Sequence, residues 1–487
     1  MQKLKPYLPS LDSRSLSVFR ICIALVILAD LSLRLGRFTE HYTDSGISPT
    51  SLLFEPAQEG FWDWSLFFLS PCTGWTVFLF SLLIASTTSL LIGYQSRLSS
   101  IVTWILMVSL HAKSPLICYG ADRLLAVLLF WAMWLPLGRH WSVDSKLSLA
   151  GGCVIRSGAS FAYTLQVALV YWMNAITKCD PTWRRDFTAI EQTLKIDSFS
   201  THFGGALLQF PALLKIGTCF TLYLEELGPF LLFIPFFKGQ LRTLAVGLFF
   251  FFHLGLLATT MNLGIFPYVG ATAWIPFLPT SFWNAIIGKD FKIADASDIE
   301  IGASSTTSTA CLILSLYVLL WNVRSLLPND NPWFFPKSIN WIGKVTRLKQ
   351  KWSLFAPRPN TSDGWLIAAA TLQDGRQIDL INEGKPLDFT RPQDLDSRSR
   401  GCRERGYELY LLRQPHPKHV DFFVRSLKNR WQNSSPDEIK DISLYLMEED
   451  NVQHPDDIKC YRLWPHDSVG ADEGPIFKQI PLDALPR

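Results

Sequence analysis

Long apolar runs separated by short polar turns fill the first two thirds of the chain, and then the pattern stops. Hydropathy predicts helices near residues 15–36, 72–94, 98–115, 122–138, 159–178, 213–237, 240–260, 264–282 and 305–327. Each run approaches the roughly 20 residues that a helix needs to cross a bilayer. The eighth is interrupted by Gly264-Ile-Phe-Pro-Tyr268 and again by Pro276 and Pro279. Irregular backbone at membrane depth is tolerated only inside protein or around a cavity, so this segment either crosses or is re-entrant. The pattern implies a mainly α fold: a polytopic transmembrane helical bundle of about nine spans, or eight if 264–282 turns back.

Beyond residue 327 the character changes. Pro328, Pro332 and Pro336 open a linker over 328–350, and 351–487 is polar with charges of both signs. Trp365 to Leu372 and Gln377 to Ile381 flank an Asp374-Gly375 pair and predict a hairpin. Val420 to Trp431 has helical character, and Asp441 to Met447 reads as another strand. A transmembrane domain over 1–327 is therefore followed by a small soluble C-terminal domain, β-rich or α+β.

The basic residues orient it. Lys3, Lys5, Arg14, Arg97, Arg139, Lys146, Arg156, Lys238 and Arg242 all fall on one side if the N-terminus is cytoplasmic. The loop 37–71, with Glu40, Asp44, Glu55, Glu59 and Asp63, then lies on the far side, and nine crossings make the C-terminal domain extracytoplasmic.

Composition narrows the class. Of 487 residues, 48% are hydrophobic and 18% charged, more apolar than a soluble core of this size requires. The net charge of +3 is scattered over loops, which excludes a basic stripe for nucleic acid. Nine cysteines without CxxC spacing make no zinc site, and no other metal site is read. The partners implied are the lipid bilayer and a peptide or protein substrate at the C-terminal domain.

An ionised side chain at the centre of a membrane helix costs roughly 2.5–3.5 kcal/mol, so each one requires a partner, a wet cavity or a function. Lys178 closes the uncharged run that begins at Phe161, with Asn174 and Tyr171 on the same helix face. It is either a lysine snorkelling beside a tryptophan or a desolvated base. Arg20 and Asp30 in the first run suit charge neutralisation between neighbouring helices. Glu225 and Glu226 lie mid-run and diverge by about 100°; one carboxylate can pair with a lysine or arginine while the other stays protonated. His253 lies deep in an aromatic run, either as a hydrogen-bonded packing residue or as part of a site. Asn262 and Gly264 follow where the helix breaks, which points to a pocket walled by aromatics such as Tyr171, Phe266, Tyr268 and Trp274. Those walls suit a flat apolar ligand such as a quinone.

These features carry a resemblance. Leu16-Ser-Val-Phe-Arg20 with Asp30, His41-Tyr-Thr-Asp-Ser-Gly46, Trp141-Ser-Val-Asp144, Lys178-Cys-Asp-Pro-Thr-Trp183, Phe252-His253 and Asn262 to Tyr268 occur in the order seen in the HTTM family. That is the membrane domain shared by vitamin K-dependent γ-carboxylase and many bacterial proteins. Lys351 to Pro357 and Asp374-Gly-Arg376 resemble the start of the carboxylase's lumenal domain. The resemblance implies a quinone or hydroquinone as cofactor and Lys178 as the base that deprotonates it, with His253 stabilising developing charge. Tyr171, Asn174, Glu225, Glu226, Asn262 and Tyr268 are the ligand-binding candidates beside these two. One departure stands out: carboxylases carry an Asn-His pair where this chain has Gly120-Ala121-Asp122, so a group that would hold carbon dioxide is missing. A non-enzymatic part in peptide maturation, export or immunity is the alternative.

Overall fold

The computed structural model describes residues 9–53, 64–147, 154–287, 300–301, 304–327, 337–392, 402–413, 416–451, 454–465, 478–482 and 485. The chain is mostly helical, with a β-sheet near its C-terminus.

Helices occupy each of the nine apolar runs. They are α1 (Ser13–Leu35), α2 (Thr73–Ile92), α3 (Ser96–Lys113), α4 (Gly120–Ala132), α5 (Gly158–Thr177), α6 (Pro211–Leu227), α7 (Lys238–Phe250), α8 (Phe266–Trp274) and α9 (Ser305–Ser325). Among the described residues, four helical stretches are individually long and apolar enough to cross a membrane: α1, α2, Lys238–Thr260 and α9. By length and apolarity these account for four crossings rather than the nine that hydropathy suggested. α4 has only 13 residues, and α6 gives way to a tighter turn at Gly228–Leu232. α8 is short and continues through Ile275–Phe277, and most of its residues are buried, Trp274 completely.

The charges of α1 show why such a bundle tolerates polar groups. Arg20 is fully buried and donates to the carbonyls of Leu90 and Leu91 at 2.7 and 2.6 Å and of Trp141 at 2.6 Å. It thereby satisfies carbonyls left open at the end of α2. Gly93, at φ 72°, completes that turn, and a Cβ there would overlap the guanidinium.

The C-terminal module is an antiparallel sheet of β1 (Ser362–Leu372), β2 (Gln377–Asp379), β3 (Lys385–Pro386), β4 (Ile439–Asp450), β5 (His454–Trp464) and β6 (Lys478–Ile480), in the order β3-β2-β1-β4-β5-β6. Gly375 at φ 88° turns β1 into β2. Helices α10 (Cys402–Arg413) and α11 (Pro417–Ser434) accompany the sheet.

Module and bundle share one continuous apolar core that runs from Leu16 and Leu128 to Leu411 and Leu444. The described residues just before the module pack on the bundle. Gln350 exchanges amide hydrogen bonds with Gln166 of α5 at 2.6 and 3.0 Å, and Trp352 is buried beside it.

Candidate functional site

Lys178 ends α5, and the residues after it fold back over its side chain. Asp180 accepts from Thr182 N at 3.0 Å and Pro181 follows it, a pairing that starts a new helical turn, Pro181–Arg184. That turn lays the Trp183 ring 4.2 Å from Lys178 Nζ. Arg184 donates to the carbonyls of Lys178 at 2.9 Å and Ala175 at 3.0 Å, closing the exposed end of α5.

The lysine is 2% exposed, so it does not snorkel. Nζ lies 2.5 Å from Glu225 Oε2 on α6. The other oxygen of Glu225 accepts from Asn174 Nδ2 at 2.9 Å, and Asn174 Oδ1 accepts from Leu354 N at 2.6 Å. A buried carboxylate satisfied on both oxygens is fixed in place. The segment after the bundle, through Leu354 and Phe355, helps to roof this arrangement.

His253 stands in a π-helical stretch, Phe251–Leu257, that widens the end of α7. Such widened turns re-aim side chains and recur at functional sites. His253 Nε2 is 2.7 Å from Tyr171 OH, which accepts from Trp274 Nε1 at 2.9 Å. Trp274 also stacks on Phe249, with centroids 3.7 Å apart. The histidine's Nδ1 is buried and has no hydrogen-bond partner among the described residues.

Both polar groups line a cavity of about 50 Å³. Lys178, Glu225, Asn174, Tyr171 and His253 all line it, and its remaining walls are mainly apolar, among them Val170, Phe252, Leu257 and Phe266. Five of the eight candidate residues thus share one chamber. The other three lie elsewhere. Glu226 points outward, 41% exposed and 3.5 Å from Arg184. Tyr268 is 51% exposed. Asn262 lines a second cavity of about 480 Å³, between the bundle's end and α10, with Tyr119, Arg123, Ser198, Arg405 and Tyr410.

Sequence reasoning expected Asp30 to be neutralised by a neighbour but missed the partners, Arg34 and Arg403, and the burial of Asp122. Arg34 binds Asp30 at 2.7 Å and Asp122 at 2.5 Å. Arg403, from α10, binds Asp30 at 2.7 Å and Asp122 at 2.8 Å. Two cations and two anions close a neutral ring that ties the module to the bundle. The i, i+4 spacing of Asp30 and Arg34 was the one local signal of it.

The HTTM domain family model matches residues 8–283. No curated protein and no solved structure matches the chain.

Proposed function

Because the chain belongs to the HTTM family, we propose that it is a γ-carboxylase-related membrane protein whose chamber beside Lys178 binds the head of a quinone-like ligand. The proposed topology has nine crossings with the N-terminus in the cytoplasm and the C-terminal module outside, supported by the one-sided basic clusters. The observation that carries the functional reading is the position of Lys178: a buried amine, paired with one carboxylate, lines a mainly apolar cavity that an imidazole also lines.

The lining has the polarity such a ligand needs, and the cavity, about 50 Å³ as it stands, must widen to admit a ring. A flat ring suits walls of Phe252, Phe266 and Leu257, while Lys178 and His253 supply polar contacts at two points of the cavity. A bound quinone would supply reversible redox chemistry together with phenolic protons in its reduced form. The chain's part is to move a proton. Transfer from Nζ to Glu225 turns the ion pair into a neutral amine and a neutral acid with no change in net charge. That amine is the base, and Asn174 holds Glu225 within reach during the exchange. Trp183 and Phe355 line this side with apolar surface.

A reduced naphthoquinone titrated into purified protein in nanodiscs tests the reading. Lys178→Ala and His253→Ala are expected to weaken binding by tenfold or more; unchanged binding in both removes the chamber as the site. Carbon dioxide incorporation into glutamyl peptides tests carboxylation separately. The second cavity favours an alternative in which the protein is a non-enzymatic component that holds a peptide partner between α10 and the bundle.

A further inference from the structure

The hydrogen bonds around Tyr171 have a direction, and it decides what His253 offers to the cavity. An indole N–H only donates, so Tyr171 oxygen accepts from Trp274. The phenolic proton then has His253 Nε2, at 2.7 Å, as its one acceptor among the described residues. If Nε2 instead carried a proton and donated to the phenol, two groups would be stranded: the Tyr171 hydroxyl proton and the lone pair on Nδ1. A buried polar group left without a partner costs about 1–3 kcal/mol. With the phenol donating, only Nδ1–H lacks a partner among the described residues, so this arrangement leaves fewer buried groups unmet.

The ring is also held in place. Tyr171 and Trp274 are both buried, and Gly270 of α8 packs so closely on the imidazole that a Cβ there would overlap it. Nδ1–H therefore stays as a buried donor on a residue that lines the cavity.

We propose that Trp274 and Tyr171 fix His253 as its Nδ1–H tautomer, which makes the histidine a hydrogen-bond donor to an acceptor oxygen, carbonyl or oxyanion, of the cavity ligand. The ligand's identity rests on the function proposed above; the tautomer does not. Trp274 and Tyr171 act here as positioning residues, and His253 is the group that touches the ligand. The site selects for a ring bearing an acceptor oxygen, and it discriminates against a plain aromatic hydrocarbon of the same size.

Two measurements on the full chain in nanodiscs test this. The first is nitrogen NMR of histidine-labelled protein, with His253 assigned by its loss in His253→Asn. Nδ1 is expected to be the protonated nitrogen, and Tyr171→Phe is expected to release that preference; an Nε2–H signal in the unsubstituted protein overturns the proposal. The second compares 1,4-naphthoquinone with naphthalene. His253→Asn keeps an amide donor near the Nδ1 position and His253→Gln places its amide near Nε2. Quinone binding is expected to survive in the first within about threefold and to fall at least tenfold, about 1.4 kcal/mol, in the second. Equal loss in both variants overturns the donor role. Failure of the unsubstituted protein to bind any quinone sinks the proposed function and the ligand-contact half of this inference, while the NMR result still decides the tautomer.

Discussion

Two of the buried charge clusters in this protein differ in what they face: the ion pair of Lys178 lines a cavity, and the ring around Asp122 does not. Around Asp122, each ion is matched by its neighbours: two arginines and two aspartates meet at 2.5–2.8 Å. Around Lys178, the ion pair is equally tight at 2.5 Å, yet it lines a cavity together with a histidine whose Nδ1 has no partner among the described residues. Burial of charge is common to both, so burial alone does not mark a reactive site. A closed ring of ions spends its polarity on holding two parts of the chain together. An ion pair beside a void keeps an open side for a ligand.

The largest test of that contrast is Arg403→Ala. It leaves Asp30 and Asp122 with one arginine between them, and breaking a buried ion pair costs about 3–5 kcal/mol. Thermal unfolding in nanodiscs is expected to drop strongly, with the module loosening from the bundle as read by limited proteolysis. An unchanged melting temperature would mean that the ring does not join the two parts.

Next comes Lys178→Met, which removes the charge and keeps the length. Its stability cost is expected to be smaller, at most about 3 kcal/mol, because Glu225 can take up a proton. The double variant Lys178→Met with Glu225→Gln is expected to regain most of that stability without regaining ligand binding. Recovery of both would make the pair purely structural.

Gly270→Ala probes the wall that His253 forms. The added methyl meets the imidazole of His253, and overpacking of this kind costs about 1–3 kcal/mol. Quinone binding is expected to fall more than stability does, measured on the same sample by titration and by melting.

The smallest effect concerns pH at the rim of the ion ring. Glu404 on α10 lies 2.7 Å from Arg37. Burial raises its carboxyl to about 7 from 4.5, with Arg37 opposing the shift and Glu40 adding to it. The folded form then holds more protons than the unfolded form between those two values, so stability falls as pH rises through that window. Glu404→Gln is expected to flatten this slope in melting curves taken from pH 4.5 to 7. A slope that persists in the variant assigns the dependence to another group.

Much of the chamber was legible one helix at a time. Tyr171, Asn174 and Lys178 recur at a spacing that sets them on one face of α5, and an amine after a long uncharged run demands an explanation wherever it occurs. The hairpin of β1 and β2 was equally local, because Asp374-Gly375 supplies the positive φ that the turn requires. Glu225 and Glu226 were indistinguishable in the sequence. Only the packing of α6 on α5 turned the first toward Lys178 and left the second beside Arg184 in solvent.

By itself, then, the sequence determined that apolar helices would dominate, that a β-containing module would follow them, and which polar side chains would share the inner face of α5. These follow from periodicity and hydropathy, which act over a few turns of chain. Tertiary structure alone decided that Arg403 would close a ring with residues more than 280 positions earlier. It alone brought Leu354 onto Asn174 and set Trp274 and Tyr171 in line with His253. Desolvated charges and hydrogen-bond donors must find partners wherever the folded chain supplies them, and no local pattern records which distant segment will do so.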